Sequence, residues 1–217
     1  MILAVGVDPE RSLLYYQSDL PQHVELTWIL SVLTGIGQLV TNDSMLGDGS
    51  PLGVVTGAAL VVEAGGRTVV VDPCVGNDKV RDQPFWSMQQ WPLLERFQAA
   101  GFAPDDVDAV VHTHLHVDHV GWGTTLVDGA WVPTFPNAEY LYTQAELDWL
   151  VAGPFADDEA RAIHADSIQP IFDAGLARVV EPDADLGGGL HLRPAGGHTP
   201  GHTVVWVDGG DGHRALL

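Results

Sequence analysis

A chain of 217 residues, 46% of them hydrophobic, is long enough to bury one well-packed core, and residues 1–217 read as a single domain. Nine Lys and Arg stand against 29 Asp and Glu, a formal net charge of −20. So acidic a surface repels phosphate backbones and anionic lipid, which argues against nucleic acid or membrane as partners and leaves a small-molecule substrate, with the oligomeric state unknown. A lone cysteine, Cys74, allows no intrachain disulfide and favours a cytoplasmic setting.

Residues 1–50 carry apolar groups such as Trp28-Ile29-Leu30, but glycines and polar residues break every period, and no element or function is read there. The apolar start meets Asp8-Pro9-Glu10 at once and has no basic leader, unlike a signal sequence. Nowhere does an apolar run approach the roughly 18 residues of a membrane span. Ala58–Val62 and Thr68–Val71 are β-prone runs joined through Ala64-Gly65-Gly66-Arg67, the pattern of a hairpin with a glycine turn. Both runs are apolar at nearly every position, which predicts strands covered on both faces. Asp72-Pro73-Cys74 follows with no general base beside the thiol, so no nucleophilic role is assigned to Cys74.

From Trp86 to Ala100, Met88, Trp91, Leu94 and Phe97 fall at helical spacing; Pro92 moves the regular part downstream and Gly101 stops it. Asp108–Val111 reads as a buried strand running into His112-Thr113-His114. Thr143–Leu150 and Asp157–Gln169 read as helices, the first opened by a capping box of Thr143 and Glu146. Strands are expected at Leu176–Val180, Leu190–Leu192 and Thr203–Val207, the last after the loop Gly196-Gly197-His198-Thr199-Pro200-Gly201-His202. A turn at 208–212 leads to Arg214-Ala215-Leu216-Leu217, the opening of another strand, and the alternation gives an α/β fold class.

Four possible metal ligands, His114, His116, Asp118 and His119, fall within six residues. In an extended segment residues i and i+2 face the same way, so His114 and His116 address one point. Neutral imidazoles bind zinc, and one further ligand completes a site with an open position. Asp118 and His119 follow a bend and suit a second metal about 3.5–4 Å away, an arrangement that activates water as hydroxide and polarises a carbonyl or phosphoryl oxygen.

The run His114-Leu115-His116-Val117-Asp118-His119 resembles the His-x-His-x-Asp-His signature of the metallo-β-lactamase superfold. That resemblance implies an αββα sandwich with the metal site at one edge of two facing sheets. It also implies that Asp72 supports the site from behind and that His198 is the third ligand of the first metal; His202, in the same loop, competes for that role and is otherwise a hydrogen-bonding neighbour of the ligands. Thr113 to Trp122, with Gly76-Asn77-Asp78-Lys79, is similar to the branch of quorum-quenching lactonases and methyl-parathion-hydrolase-like enzymes. The implied activity is a metal-dependent hydrolase in which metal-bound hydroxide attacks a lactone, ester or related substrate, and Asp118 orients that hydroxide as the catalytic carboxylate. Zinc is the expected cofactor, as one or two ions, with iron or manganese as other choices.

His112 is read as a buried structural histidine, and His23, His164, His191 and His213 as ordinary residues. Phe85, Trp86, Trp122 and Trp131 are assigned to packing ahead of an acyl pocket. The chain departs from the family pattern at its end, where no segment matches the metal-bridging aspartate and the last histidine; Asp211 and His213 are poor substitutes. The expectation is a sandwich with its C-terminal part missing and a weak second metal. A non-catalytic metal-binding relic and an iron-dependent oxygenase of the same superfold are the rival readings.

Overall fold

The computed structural model describes residues 39–41, 58–153, 157–209 and 214–217. The apolar run around Trp28, His23, and the turn carrying Asp211 and His213 lie outside the described residues.

Three consecutive strands, β1 (Leu39–Thr41), β2 (Ala58–Ala64) and β3 (Arg67–Val71), form an antiparallel meander. The β2–β3 turn places Gly65 and Gly66 at φ 59° and 77°, the doubly left-handed geometry the glycine pair predicts. Three parallel neighbours extend the sheet: β4 (Ala109–Val111), β7 (Glu139–Thr143) and β8 (Ala177–Val180). The six-stranded order is therefore β1-β2-β3-β4-β7-β8. A second sheet, ordered β12-β11-β10-β9, is wholly antiparallel: β9 (Asp185–Gly187), β10 (Leu190–Pro194), β11 (Thr203–Asp208) and β12 (Arg214–Leu216). A hairpin of β5 (Thr124–Val127) and β6 (Ala130–Pro133) stands apart.

Side-chain parity assigns the two faces of the large sheet. Val69, Val71, Ala109, Val111 and Leu141 pack against Leu190, Leu192, Val205 and Val207 of the second sheet. Their strand neighbours Val70, Val110, Tyr140 and Tyr142 point the other way, into a core shared with Phe97, Ile163, Ile168 and Ile171 of the helical side. Both faces are covered, which is why the central strands read as continuous apolar runs. The same circumstance hides β7 from period-2 reading, since Tyr140, Leu141 and Tyr142 are all buried. The β5–β6 hairpin was also not anticipated, although Asp128-Gly129 supplies its two-residue turn, at φ 51° and 82°.

Helix α1 (Leu93–Ala99) begins after Pro92 and ends where Gly101 turns left-handed at φ 94°. Next come the single turn α2 (Val117–Val120), α3 (Gln144–Ala152) and α4 (Asp158–Ile163). The expected helix over Asp157–Gln169 runs on through a π-turn at His164–Ile168 into α5 (Gln169–Asp173). Pro170 explains the widened turn. It has no N–H for the carbonyl of Asp166, which accepts from Lys79 Nζ at 3.0 Å and from the Thr124 hydroxyl instead. No helix among the described residues is long and apolar enough to cross a membrane.

Candidate metal centre

Parallel pairing brings the C-terminal ends of β3 and β4 side by side, Val71 opposite Val111, so Asp72 and the histidine segment leave the sheet at the same edge. Asp72 adopts φ 51°, a conformation Asp tolerates better than most residues, and its carboxylate accepts the Thr113 backbone N–H at 2.8 Å and hydroxyl at 2.6 Å. The histidine segment closes into α2, whose far end is fastened to the β3 exit by Gly121 N–H to the Cys74 carbonyl at 2.6 Å. A Cβ on Gly121 would lie 1.5 Å from the Val75 carbonyl oxygen, so this approach admits glycine alone.

The second sheet delivers the Gly-His loop. Thr203 at the start of β11 donates its N–H to the Thr113 carbonyl at 2.9 Å, setting His198 and His202 beside the histidine segment. Helix α3 completes the cradle in a way the capping-box reading missed. Thr143 occupies the N-cap position without a side-chain cap; its hydroxyl donates to the Gly201 carbonyl at 3.1 Å. Glu146 accepts the Leu115 N–H at 3.0 Å and the Gly201 N–H at 2.7 Å on its two carboxylate oxygens.

Two groups of three ligand atoms, each within 4.8 Å of one another, result: His114, His116 and His198, and Asp72, His114 and His119. His116 Nδ1 and His198 Nε2 stand 2.9 Å apart. His119 lies between two carboxylates, Nδ1 at 2.9 Å from Asp72 and Nε2 at 3.5 Å from Asp118. Asp118 is thus next to His119 but in neither group of three. His202 packs edge-on to His114 at 4.9 Å between ring centroids, with its Nδ1 3.0 Å from the Ala195 carbonyl.

The donor set fits a cation, and one proton decides this. The Thr113 hydroxyl gives its only hydrogen to Asp72, so at 3.0 Å from His114 Nδ1 it accepts, which leaves the His114 lone pair on Nε2. That Nε2 is buried and meets no hydrogen-bond partner among the described residues. Burial, reinforced by the surrounding histidines, pushes the His114 pKa down to about 2. Burial and His198 lower that of His116 as well. Neutral imidazoles with inward lone pairs are what a transition metal requires. Burial works against charge on His119 too, but Asp118 and Asp72 prevail and raise it to about 10. Burial opposes ionisation of Asp118, and the His119 bond overcomes it, holding the carboxyl below its ordinary value.

Above the histidines opens a cavity of about 570 Å³, walled by Trp86, Trp149, Leu150 and Ile163, with Asp157 and Glu159 adding carboxylates. Of the four aromatics considered in the sequence, only Trp86 reaches it. Trp122 is buried in a side core with Cys74, Trp131 lies under the Lys79 ammonium at 3.7 Å, and Phe85 is largely exposed. Trp149, edge-on to His116 at 5.4 Å, was not anticipated, although it follows Glu146 by three positions on one helix. His112 is buried as expected and stacks on Tyr142 at 4.8 Å. Burial raises the Cys74 thiol to about 12, so it is inert.

The model of the metallo-beta-lactamase superfamily matches residues 52–216. Among solved structures, a probable metal-dependent hydrolase from Staphylococcus aureus superposes with a TM-score of 0.61 at 19% identity, covering 73% of this chain and 56% of that one. AidC, a dizinc quorum-quenching lactonase, gives a TM-score of 0.54 at 22% identity over 73% of this chain and 54% of its own. At these identities the likeness is one of fold, and the chain spans little more than half the length of either structure. A stretch of 37 residues, 17% of the chain, is 57% identical to tryptophan–tRNA ligase of Corynebacterium efficiens and covers 11% of that protein. The chain spans about a tenth of the length of the curated relatives it matches.

Proposed function

Because the chain belongs to the metallo-beta-lactamase superfamily, we propose that it is a metal-dependent hydrolase acting on a neutral lactone or ester, with zinc as its metal. His114, His116 and His198 would hold the first ion, and Asp118 and His119 would help to hold a second. One observation carries this reading: His114, whose buried Nε2 has no partner among the described residues, offers a ligand atom within 4.8 Å of those of His116 and His198, and these residues line the cavity. Bound zinc supplies Lewis acidity, polarising the scissile carbonyl and making water a nucleophile near neutral pH.

The remaining work falls to side chains. Asp118, ionised and lining the cavity, orients the attacking water and takes its proton on a carboxylate oxygen. Asp72 acts through Thr113, keeping the Nδ1 proton of His114 in place so that Nε2 remains the donor atom. Trp86 and Trp149 bury the apolar part of the substrate and exclude bulk water from the reacting carbonyl.

Charge supports the choice of substrate. No Lys or Arg is among the described residues lining the cavity. Lys79 and Arg81 are committed to Asp166, Arg178 pairs with Glu139, and Arg67 bonds the Leu186 carbonyl. A substrate bearing a carboxylate, such as a β-lactam, would meet Asp157 and Glu159, with no Lys or Arg among the described lining residues to pair with.

Elemental analysis of the purified chain, combined with an assay on a neutral lactone and a β-lactam, tests the proposal. Zinc should be present, and the lactone should be hydrolysed in preference. His116→Ala should lose metal and activity together; a variant that kept both would refute the site assignment.

A further inference from the structure

We infer that Glu146 is a positioning residue that sets the distance between the two loops supplying the histidines, and thereby the affinity of the site for its metal; the inference rests on the metal-centre reading above. His114 and His116 flank Leu115, whose N–H is bound by Glu146 Oε2 at 3.0 Å. Gly201 follows His198 by three residues, and its N–H is bound by Oε1 of the same carboxylate at 2.7 Å. One rigid planar group thus spans segments 31 residues upstream and 55 downstream of itself. The side chain is 1% exposed, so no water competes for either bond.

The surroundings are shaped to this clasp. A Cβ on Gly201 would lie 2.6 Å from Thr143 Oγ1 and 2.7 Å from the Glu146 backbone nitrogen, so only glycine lets the loop come close enough. The Thr143 hydroxyl donates to the carbonyl of that same glycine at 3.1 Å, fastening both backbone polar groups of one residue to the start of α3. Among the described residues Glu146 has no hydrogen bond to a ligand imidazole; its charge is felt at His116, and its two hydrogen bonds act through the backbone that carries the ligands. Three lone pairs converge on one ion only when the loops that bear them keep a fixed separation. Groups that orient metal ligands from behind are worth about 10- to 100-fold in metal affinity.

Two readouts test the inference, one independent of metal. In Glu146→Gln the amide oxygen can accept from only one of the two N–H groups, and its NH₂ confronts the other. Hydrogen exchange at the Leu115 and Gly201 amides of the metal-free 217-residue chain should accelerate together, by about tenfold or more. Zinc affinity, measured by competition with a chromogenic chelator, should fall by at least about tenfold. Ile171→Val, a change in the helical-side core that Leu115 also joins but that carries neither of the Glu146 hydrogen bonds, should lower thermal stability without altering either readout. Thr143→Val should give a smaller loss of zinc affinity and serves if Glu146→Gln does not fold. Unchanged exchange and unchanged affinity in Glu146→Gln, or an equal loss in Ile171→Val, would overturn the inference. A wild-type chain that bound no zinc would instead defeat the metal-centre reading; in that case accelerated exchange at the two amides would still establish the clasp, and its role in metal affinity would fall.

Discussion

The hydroxyl of Thr113 has one proton, and giving it to Asp72 determines which nitrogen His114 turns toward the cavity. A comparable commitment surrounds Lys79, whose ammonium is fully buried against Thr124, the Asp166 carbonyl and the Asp166 carboxylate. Burial outweighs Asp166 and lowers its pKa to about 7. The folded value lies below the unfolded one, so between them the unfolded chain binds the extra proton and stability rises with pH. His119, raised to about 10, has the opposite slope over this range, which makes comparison with Lys79→Met the informative measurement. Urea unfolding at pH 7, 8 and 9 should show wild type gaining about 2 kcal/mol on Lys79→Met, and parallel curves would contradict the lowered pKa. The histidine pattern was readable in the sequence because its spacing is local, two residues along an extended strand end. Glu146 was not, because both of its partners are remote and its own position satisfied a commonplace helix-start pattern.

Strands and helices were legible where one period or one stop signal governed them. The glycine pair between β2 and β3, and Gly101 after α1, did the work their residue types predict. One strand that escaped, β7, is buried on both faces, and alternation vanishes under that condition. The π-turn before α5 escaped for another reason: a proline shows that a helical bond is missing, but not that a lysine 87 positions upstream will donate to the freed carbonyl. Helix α4 begins with a predictable device, Asp157 accepting the Ala160 N–H at 2.9 Å. Asp157→Ala should cost about 1 kcal/mol in denaturant unfolding, whereas Asp157→Asn, which keeps the cap, should cost little. Equal losses in the two variants would point to the charge of Asp157 instead of its hydrogen bond.

The molecule as a whole carries a net charge of −20, and the cavity adds Asp157 and Glu159 to that field at its wall. Such a field concentrates cations near the site and is screened as the Debye length falls from about 30 Å at 0.01 M salt to about 3 Å at 1 M. A cationic ester should therefore exceed its neutral isostere in kcat/KM at low salt, and the advantage should shrink as salt is raised. A ratio constant across that range would show that charge does not steer this substrate class. The two sheets meet in an apolar layer and the helices cover one face, so the ligands hang from loops fastened at several points to a rigid frame. Helix α3 is one of those fastenings, and it also presents Trp149 to the cavity. That double duty limits how the specificity of this scaffold can be redesigned. Libraries that widen the cavity through the loop bearing Trp86 or through α4 should keep the geometry of the histidine cluster, whereas those that slide or tilt α3 should lose it before substrate preference can be selected.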